Sequence, residues 1–259
     1  MNKSLVKDKV VIVTGASKGI GLATSLLLVE KGAQVILAAR NKEALEKACG
    51  LIEATGGSCI LIPTDIRQED EVKTLIAQVV DRYGRIDILI NNAGNAHGYD
   101  LFHEGNIEDW EAMIDINFKG LLYVSKAIVP GMVERGRGHI INLGSIAGKE
   151  VYPKGNVYCA SKYAVDAISS GMRLDLNNFG IKVSEINPGM VETEFALVRF
   201  KGDAEKAKNT YRGLKPLTGG DIAEIILFII TRPEHVNISD VIVFPTAQAS
   251  ATVIKRNIE

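Results

Sequence analysis

Tyr158 and Lys162 lie four residues apart in NVYCASKYAV, where the pattern predicts an amphipathic helix, so a phenol and an ammonium share one helix face. Free tyrosine ionises near pH ~10 and is a poor proton carrier at neutrality, but a positive charge close by favours the phenolate. Bringing the phenol down by about three pH units takes about 4 kcal/mol. Tyr158 tuned in this way is a general base toward an alcohol or a general acid toward a carbonyl. Ser145, in INLGSIAG at the end of an apolar run, offers a hydroxyl that can bind the reacting oxygen. Asn117 stands inside the apolar helical pattern of IDINFKG, where asparagine gains little; it either satisfies local backbone or orders water leading to Lys162. Taken singly these are a snorkelling pair, a strand-end hydroxyl and a helix irregularity. Taken jointly they are the parts of a proton-transfer site.

Such a set needs a frame that brings distant positions to one edge. Seven short apolar runs recur, KVVIVTG, AQVILAAR, SCILIPTD, RIDILINNAG, GHIINLGS, IKVSEINPG and SDVIVF, each with the look of a strand buried on both faces. Helical patterns fill the gaps at 19–30, 42–54, 69–82, 107–134, 157–178 and 221–231. The alternation predicts an α/β fold, a doubly wound parallel sheet with helices on both faces joined by right-handed crossovers. No linker or repeat interrupts it, so residues 1–259 are expected to form one domain. Two segments escape the alternation. Residues 191–217 are long and mixed, as a substrate lid would be. Residues 245–259 have no clear period and read as a disordered end or a piece that docks on another subunit.

The first strand runs into TGASKGIG and then directly into a helix. Glycines there let the backbone turn tightly and approach a pyrophosphate, while the helix start favours negative charge. Gly15, Ser17, Lys18, Gly19 and Ile20 are therefore candidate nucleotide contacts. A second strand follows at the right distance, which is the context such a turn requires. That strand ends in Ala39 and Arg40 where an NAD site commonly places an acid. Arg40, flanked by Lys18, suits a 2′-phosphate, so NADP is the expected cofactor. Its cationic nicotinamide ring would add to Lys162 in tuning Tyr158. Asp65, ending LIPTD, either accepts from the adenine amino group or caps the next helix. The run Asn91 to Gly94 ends the fourth strand, and Asn91 and Ala93 are expected both to hold backbone and to face the cofactor.

The bulk numbers exclude other classes. Lys plus Arg (30) nearly balance Asp plus Glu (31), so no field gathers nucleic acid or an anionic membrane. Neither the N-terminal run nor the nine-residue IAEIILFII resembles a signal peptide or a membrane span. Cys49, Cys59 and Cys159 have no metal or redox spacing and are expected to be reduced thiols in a cytoplasmic protein, with Cys159 a packing residue. The four histidines, His97, His103, His139 and His235, show no metal-ligand spacing, so no metal is expected. Trp110 and Tyr123 belong to helical patterns and are expected to pack.

TGxxxGxG, NNAG, the lone Asn117, Ser145 and the YxxxK of Tyr158 and Lys162 together resemble the short-chain dehydrogenase/reductase family over essentially the whole chain. The resemblance implies a seven-stranded Rossmann-type sheet and a tetrad of Asn117, Ser145, Tyr158 and Lys162, with Lys162 also on the nicotinamide ribose. It further implies that Pro188, Val191 and Thr193 lie along the nicotinamide, Thr193 near the carboxamide. ETEFALVRFKGD and PEHVNISDVIVFPTAQ add a closer likeness to the NADP-dependent 3-hydroxy acid dehydrogenases of bacteria and yeast, homotetramers that oxidise serine and related β-hydroxy acids. Some relatives with a similar lid reduce sulfoacetaldehyde.

An anionic substrate also fits the residues. Arg199, in the lid stretch LVRFKG, can grip a carboxylate or sulfonate with two hydrogen bonds. Tyr152 and Asn156 are placed to line the same pocket, and Gln248 to reach it from the tail. The expected activity is NADP-dependent interconversion of a short 3-hydroxy acid and its 3-oxo acid. The rivals are a thioester, sulfoacetaldehyde or hydroxysteroid substrate on the same machinery, and an NADP-binding regulator without turnover.

Overall fold

A computed structural model describes residues 5–257. Met1 to Ser4 of the N-terminal run, and Ile258 and Glu259 of the tail, lie outside the described residues. All seven apolar runs form strands: β1 (Val10–Thr14), β2 (Gln34–Ala39), β3 (Ile60–Pro63), β4 (Ile88–Asn91), β5 (Gly138–Leu143), β6 (Ile181–Pro188) and β7 (Asp240–Val243). Every pairing is parallel and the spatial order is β3-β2-β1-β4-β5-β6-β7. The runs show no polar alternation because both faces are covered, yet their side chains still divide by parity. Val11 and Val13 join Val35 and Leu37 in one core, while Val10 and Ile12 join Ile36 and Ala38 in the other. Ile12, Ile36 and Leu37 are fully buried, and each such side chain contributes roughly 2 kcal/mol.

The helices are α1 (Gly19–Glu30), α2 (Lys42–Ala54), α3 (Glu69–Tyr83), α4 (Ile107–Ile114), α5 (Gly120–Arg135), α6 (Asn156–Leu176), α7 (Phe195–Arg199), α8 (Ala204–Thr210) and α9 (Gly219–Ile230). Leu28 of α1, Leu45 and Ile52 of α2 and Ile226 of α9 cover one face of the sheet. Val72 and Leu75 of α3, Val124 and Ile128 of α5 and Leu176 of α6 cover the other. Thr218 and Asp221 cap the start of α9 reciprocally. The helix expected over 107–134 is instead α4 and α5 separated by a π-helical turn, Asp115–Lys119, which holds Asn117. Among the described residues, no helix is long and apolar enough to cross a membrane.

β1 and β4 are neighbours although two strands separate them in the chain. The connections after them therefore turn to opposite faces and leave a crevice at the carboxyl edge, where ligands bind in such sheets. The segment expected to be a lid hangs over this edge and contains α7 and α8. Its two ends meet at an isolated bridge between Val191 and Leu217, with Glu192 N donating to Leu217 O at 2.8 Å and Leu217 N to Met190 O at 2.9 Å.

Two expectations need correction. The described part of the tail is not a disordered end: Asn257 N donates to Gly213 O at 2.8 Å, and Arg256 Nη1 donates to Arg212 O at 2.6 Å, so it straps its own lid. Cys49 and Cys59 are not free thiols but joined as a disulfide, because the chain reverses between α2 and β3 and brings their Cα atoms to 6.0 Å. Cys159 is free and buried, packed with Tyr158 and Met113.

Candidate active site

The crevice encloses about 760 Å³, within the range of cofactor and ligand clefts. Its nucleotide end is built by the turn after β1. Gly15 and Gly19 have φ of 63° and 57°, a conformation that favours glycine. A Cβ at Gly15 would lie 2.9 Å from Ala93 Cα, so the turn after β1 and the turn after β4 touch backbone to backbone. Asn92 locks them together, its Nδ2 donating to Thr14 O at 2.8 Å and its N to Thr14 Oγ1 at 3.0 Å. No side chain caps the start of α1 and its first turn carries no acid, leaving its N–H groups and positive dipole end for an anion.

Gly15, Ser17, Lys18, Gly19 and Ile20 line this end of the crevice, with Ala93 beneath. Arg40 lines its far side, exposed, as does Lys18. Pro188, Val191 and Thr193 run along the opposite wall. This cradle, shaped by the missing side chains at 15 and 19 and closed by two cations, fits a dinucleotide phosphorylated on its ribose.

Two expected cofactor contacts are placed elsewhere. Asp65 does not reach the lining. Its carboxylate is held by Arg67, with Nε donating to Oδ1 at 2.9 Å and Nη2 to Oδ2 at 2.6 Å, and this grip holds it below the ordinary carboxylate range. Its neighbours Thr64 and Ile66 face the crevice instead, and the residue that starts α3 is Gln68. Asn91 turns inward, where Nδ2 donates to Asn142 Oδ1 at 2.9 Å and to Ser125 Oγ at 3.0 Å. The β-strand parity that sends Ile90 to one core sends Asn91 into the layer under α5 and α6.

At the chemical end Ser145, Tyr158 and Lys162 line the crevice together. Ser145 follows β5 and begins the short turn Ile146–Gly148; Tyr158 and Lys162 lie one turn apart in the first half of α6. Lys162 is buried, donates from Nζ to Leu143 O at 2.8 Å, and is pushed down to about 8 by burial, with the charge of Glu185 opposing. Lys162 does not by itself lower the Tyr158 phenol as the spacing suggested. Burial pushes that phenol above its ordinary value and Tyr152 adds to the rise, while the Ser145 hydroxyl and Arg199 pull it down. Asn117 stands behind the lining. Its π-helical turn frees it to reach across to the loop after β4, where Oδ1 accepts from Asn95 N and Nδ2 donates to Asn95 O, both at 2.8 Å. Nδ2 also donates to Ser161 Oγ at 3.0 Å, so the amide ties that loop to α6 rather than serving its own helix.

Arg199, at the end of α7, comes over this end from the lid. Its Nη2 donates to Tyr152 Oη at 2.7 Å. The guanidinium carbon lies 5.1 Å from the ring centre of Tyr99, 5.3 Å from Tyr158, 5.5 Å from Tyr152 and 5.9 Å from Phe195. Its Nε is buried with no hydrogen-bond partner. Asn156 opens into a small side cleft shared with Lys154, and its Oδ1 accepts from Val157 N at 2.6 Å. Gln248 is buried at the crevice wall, with Oε1 accepting from Met190 N at 2.8 Å. Tyr99 and Phe195 were not singled out in the sequence. Phe195 stands two residues after Thr193 and could have been found from that neighbour; Tyr99 lies in an aperiodic loop that carries no signal.

The family model for short chain dehydrogenase matches residues 9–203. Over 243 residues the chain is 43% identical to the NADP-dependent 3-hydroxy acid dehydrogenase YdfG of Salmonella typhi, spanning 93% of this chain and 97% of that protein. It is 38% identical over 255 residues to the NADP-dependent 3-hydroxy acid dehydrogenase of Schizosaccharomyces pombe, spanning 98% of each. Among solved structures it is similar to the closed form of serine dehydrogenase complexed with NADP⁺, with a TM-score of 0.90 and 40% identity, covering 96% of this chain and 100% of that one. With the glycine turn, the crevice and the Tyr158–Lys162 face in place, the chain belongs to the short chain dehydrogenase family.

Proposed function

We propose that this chain is an NADP-dependent oxidoreductase that interconverts a short 3-hydroxy acid and its 3-oxo acid. The observation that carries the acid is Arg199, a guanidinium with an unpaired buried Nε held 5.3 Å from the Tyr158 ring. A free N–H beside the Nη group can complete a two-pronged grip on a carboxylate. Arg199 lines the same crevice as Ser145 and Tyr158, so an acid group in its grip stands near the reacting carbon, as in a short 3-hydroxy acid.

NADP, when bound, supplies the carbon that accepts or donates the hydride. The chain's residues do the rest. Ser145 Oγ holds the substrate oxygen and Tyr158 Oη takes or returns its proton. Lys162 holds positive charge under Tyr158, Asn117 fixes the loop after β4 against α6, and Arg40 with Lys18 receives the 2′-phosphate. The 3-hydroxy acid dehydrogenases and the NADP⁺-bound serine dehydrogenase named above support this reading of cofactor and substrate. The family resemblance also supports a homotetramer.

The test is initial rate with NADP⁺ and separately NAD⁺ on L-serine, 3-hydroxypropionate, 3-hydroxyisobutyrate, isethionate and a steroid alcohol. Oxidation of the hydroxy acids with NADP⁺ is expected. Turnover of the steroid alone would overturn the substrate assignment while leaving the catalytic face standing.

A further inference from the structure

On β6 the odd-numbered side chains change character along one face, from Ile181 and Val183 to Glu185 and Asn187. All are sealed from solvent, Glu185 at 1% and Asn187 at 0% exposure. A buried amide is tolerated when its polar atoms are satisfied, and Asn187 uses both ends. Its Oδ1 accepts from Ser145 N at 2.8 Å, and its Nδ2 donates to Asp240 Oδ1 at 2.8 Å. The other Asp240 oxygen accepts from Lys149 Nζ at 2.6 Å, and the same ammonium donates to Asp166 Oδ1 at 2.6 Å. Asp166 lies on α6, one turn beyond Lys162. The turn that carries Ser145, the edge strand β7 and the helix that carries Tyr158 are thus joined in one chain of hydrogen bonds.

The turn also rests directly on this layer. A Cβ at Gly144 would overlap both Asn187 Oδ1 and Glu185 Oε1. Glu185 Oε1 has no hydrogen-bond partner, and burial together with Asp166 and Asp240 pushes this carboxyl up to about 7 against the pull of Lys149. The Ile186 main chain accepts from Gly144 N at 2.9 Å, and Asn187 is the β6 side chain that both touches the turn and hydrogen-bonds to Ser145.

We propose that Asn187 is a positioning residue for the reaction: it fixes the Ser145 main chain, and through it the aim of the Ser145 hydroxyl at the oxygen shared with Tyr158. This rests on the reading of Ser145 given above. An amide is required because the position must accept from one side and donate to the other, which neither a carboxylate nor a hydrocarbon does.

The requirement suggests a swap. Asn187→Asp keeps the acceptor for Ser145 but faces Asp240 with a second carboxylate. Adding Asp240→Asn restores all three bonds with donor and acceptor exchanged, since the new amide can donate to position 187 and accept from Lys149. The assay is NADPH-linked reduction of biacetyl, a small uncharged diketone, so that the Arg199 grip plays no part. NADPH binding by fluorescence and thermal unfolding are measured on the same samples.

Asn187→Asp is expected to lower kcat about tenfold or more with NADPH affinity unchanged, and the double variant to recover kcat to within about threefold. A single variant that melts lower but keeps kcat, or a folded double variant that binds NADPH and stays slow, overturns the proposal. Should the single variant fail to fold, the double variant decides alone by the same criterion. Ser145→Ala separates the two levels: if it retains kcat, the reading of Ser145 fails and the inference falls with it. If Ser145→Ala is slow and Asn187→Asp is not, only the inference fails.

Discussion

Arg199 donates from Nη2 to the Tyr152 hydroxyl at 2.7 Å while its buried Nε donates to nothing. A buried donor without a partner is unfavourable by about 1–3 kcal/mol, a penalty that a bound carboxylate removes. Arg199→Ala should raise KM for a 3-hydroxy acid about 10- to 100-fold with a smaller change in kcat, and leave biacetyl reduction within about threefold. Steady-state rates on both substrates check this. An equal loss on both would place Arg199 in the structure of the lid instead of on the acid.

Arg40 faces the nucleotide end with no acid beside it on β2. Arg40→Ala should lower kcat/KM for NADP⁺ by about 10- to 30-fold and change that for NAD⁺ by no more than about threefold. Parallel cofactor titrations decide it; equal losses with the two cofactors would exclude 2′-phosphate recognition by this residue.

Lys162 carries its charge below pH about 8 and loses it above, because burial has pushed its pKa down. Tyr158 stays protonated over the same range, since burial has pushed it the other way. For carbonyl reduction, where Tyr158 must begin protonated and Lys162 charged, kcat/KM for NADPH should therefore fall as pH rises through about 8. Lys162→Arg, always charged, should remove that descending limb even if the overall rate is lower. A limb that stays in place in the variant would assign it to another group.

Sequence alone revealed the elements whose signals are local. The strands were legible because each is a continuous apolar run bounded by turn residues, and the catalytic face because Tyr158 and Lys162 sit at helix spacing. What stayed hidden depends on how separate segments meet. Arg67 lies only two residues from Asp65, yet its grip on that carboxylate follows from the bend after β3. Cys49 and Cys59 looked unpaired because their spacing fits no motif; their approach comes from the reversal between α2 and β3. Asn187 read as one more residue of a strand, and only the stacking of the β5 turn on β6 makes its amide meaningful. The tail showed no period because it is held to the lid by a main-chain bond from Asn257 and by the single side chain of Arg256, neither of which makes a repeating pattern.

His139 is buried on β5 with Nε2 2.9 Å from Ser184 Oγ, and burial, helped by the charge of Lys182, pushes it down to about 3. In the unfolded chain it protonates near its ordinary value of about 6.5. Between those values the unfolded chain binds the extra proton, so the stability present above pH 6.5 is lost as pH falls, by about 1.4 kcal/mol per pH unit from this group. Urea unfolding at pH 7, 6 and 5 should show that slope, and His139→Asn should flatten it. An unchanged slope in the variant would assign the acid sensitivity elsewhere.

The bridge between Val191 and Leu217 brings the two ends of the lid, one after β6 and one before α9, to a single point. An insert whose two ends coincide can be lengthened, shortened or exchanged without moving the strand and helix that flank it, because closing the loop is already provided for. Arg199 and Phe195, which stand over the Tyr158 ring, belong to that insert, while Ser145, Tyr158 and Lys162 belong to the frame. Substrate choice is in this sense an interchangeable part: one frame can keep its hydride chemistry while its lid evolves, or is engineered, toward another acid.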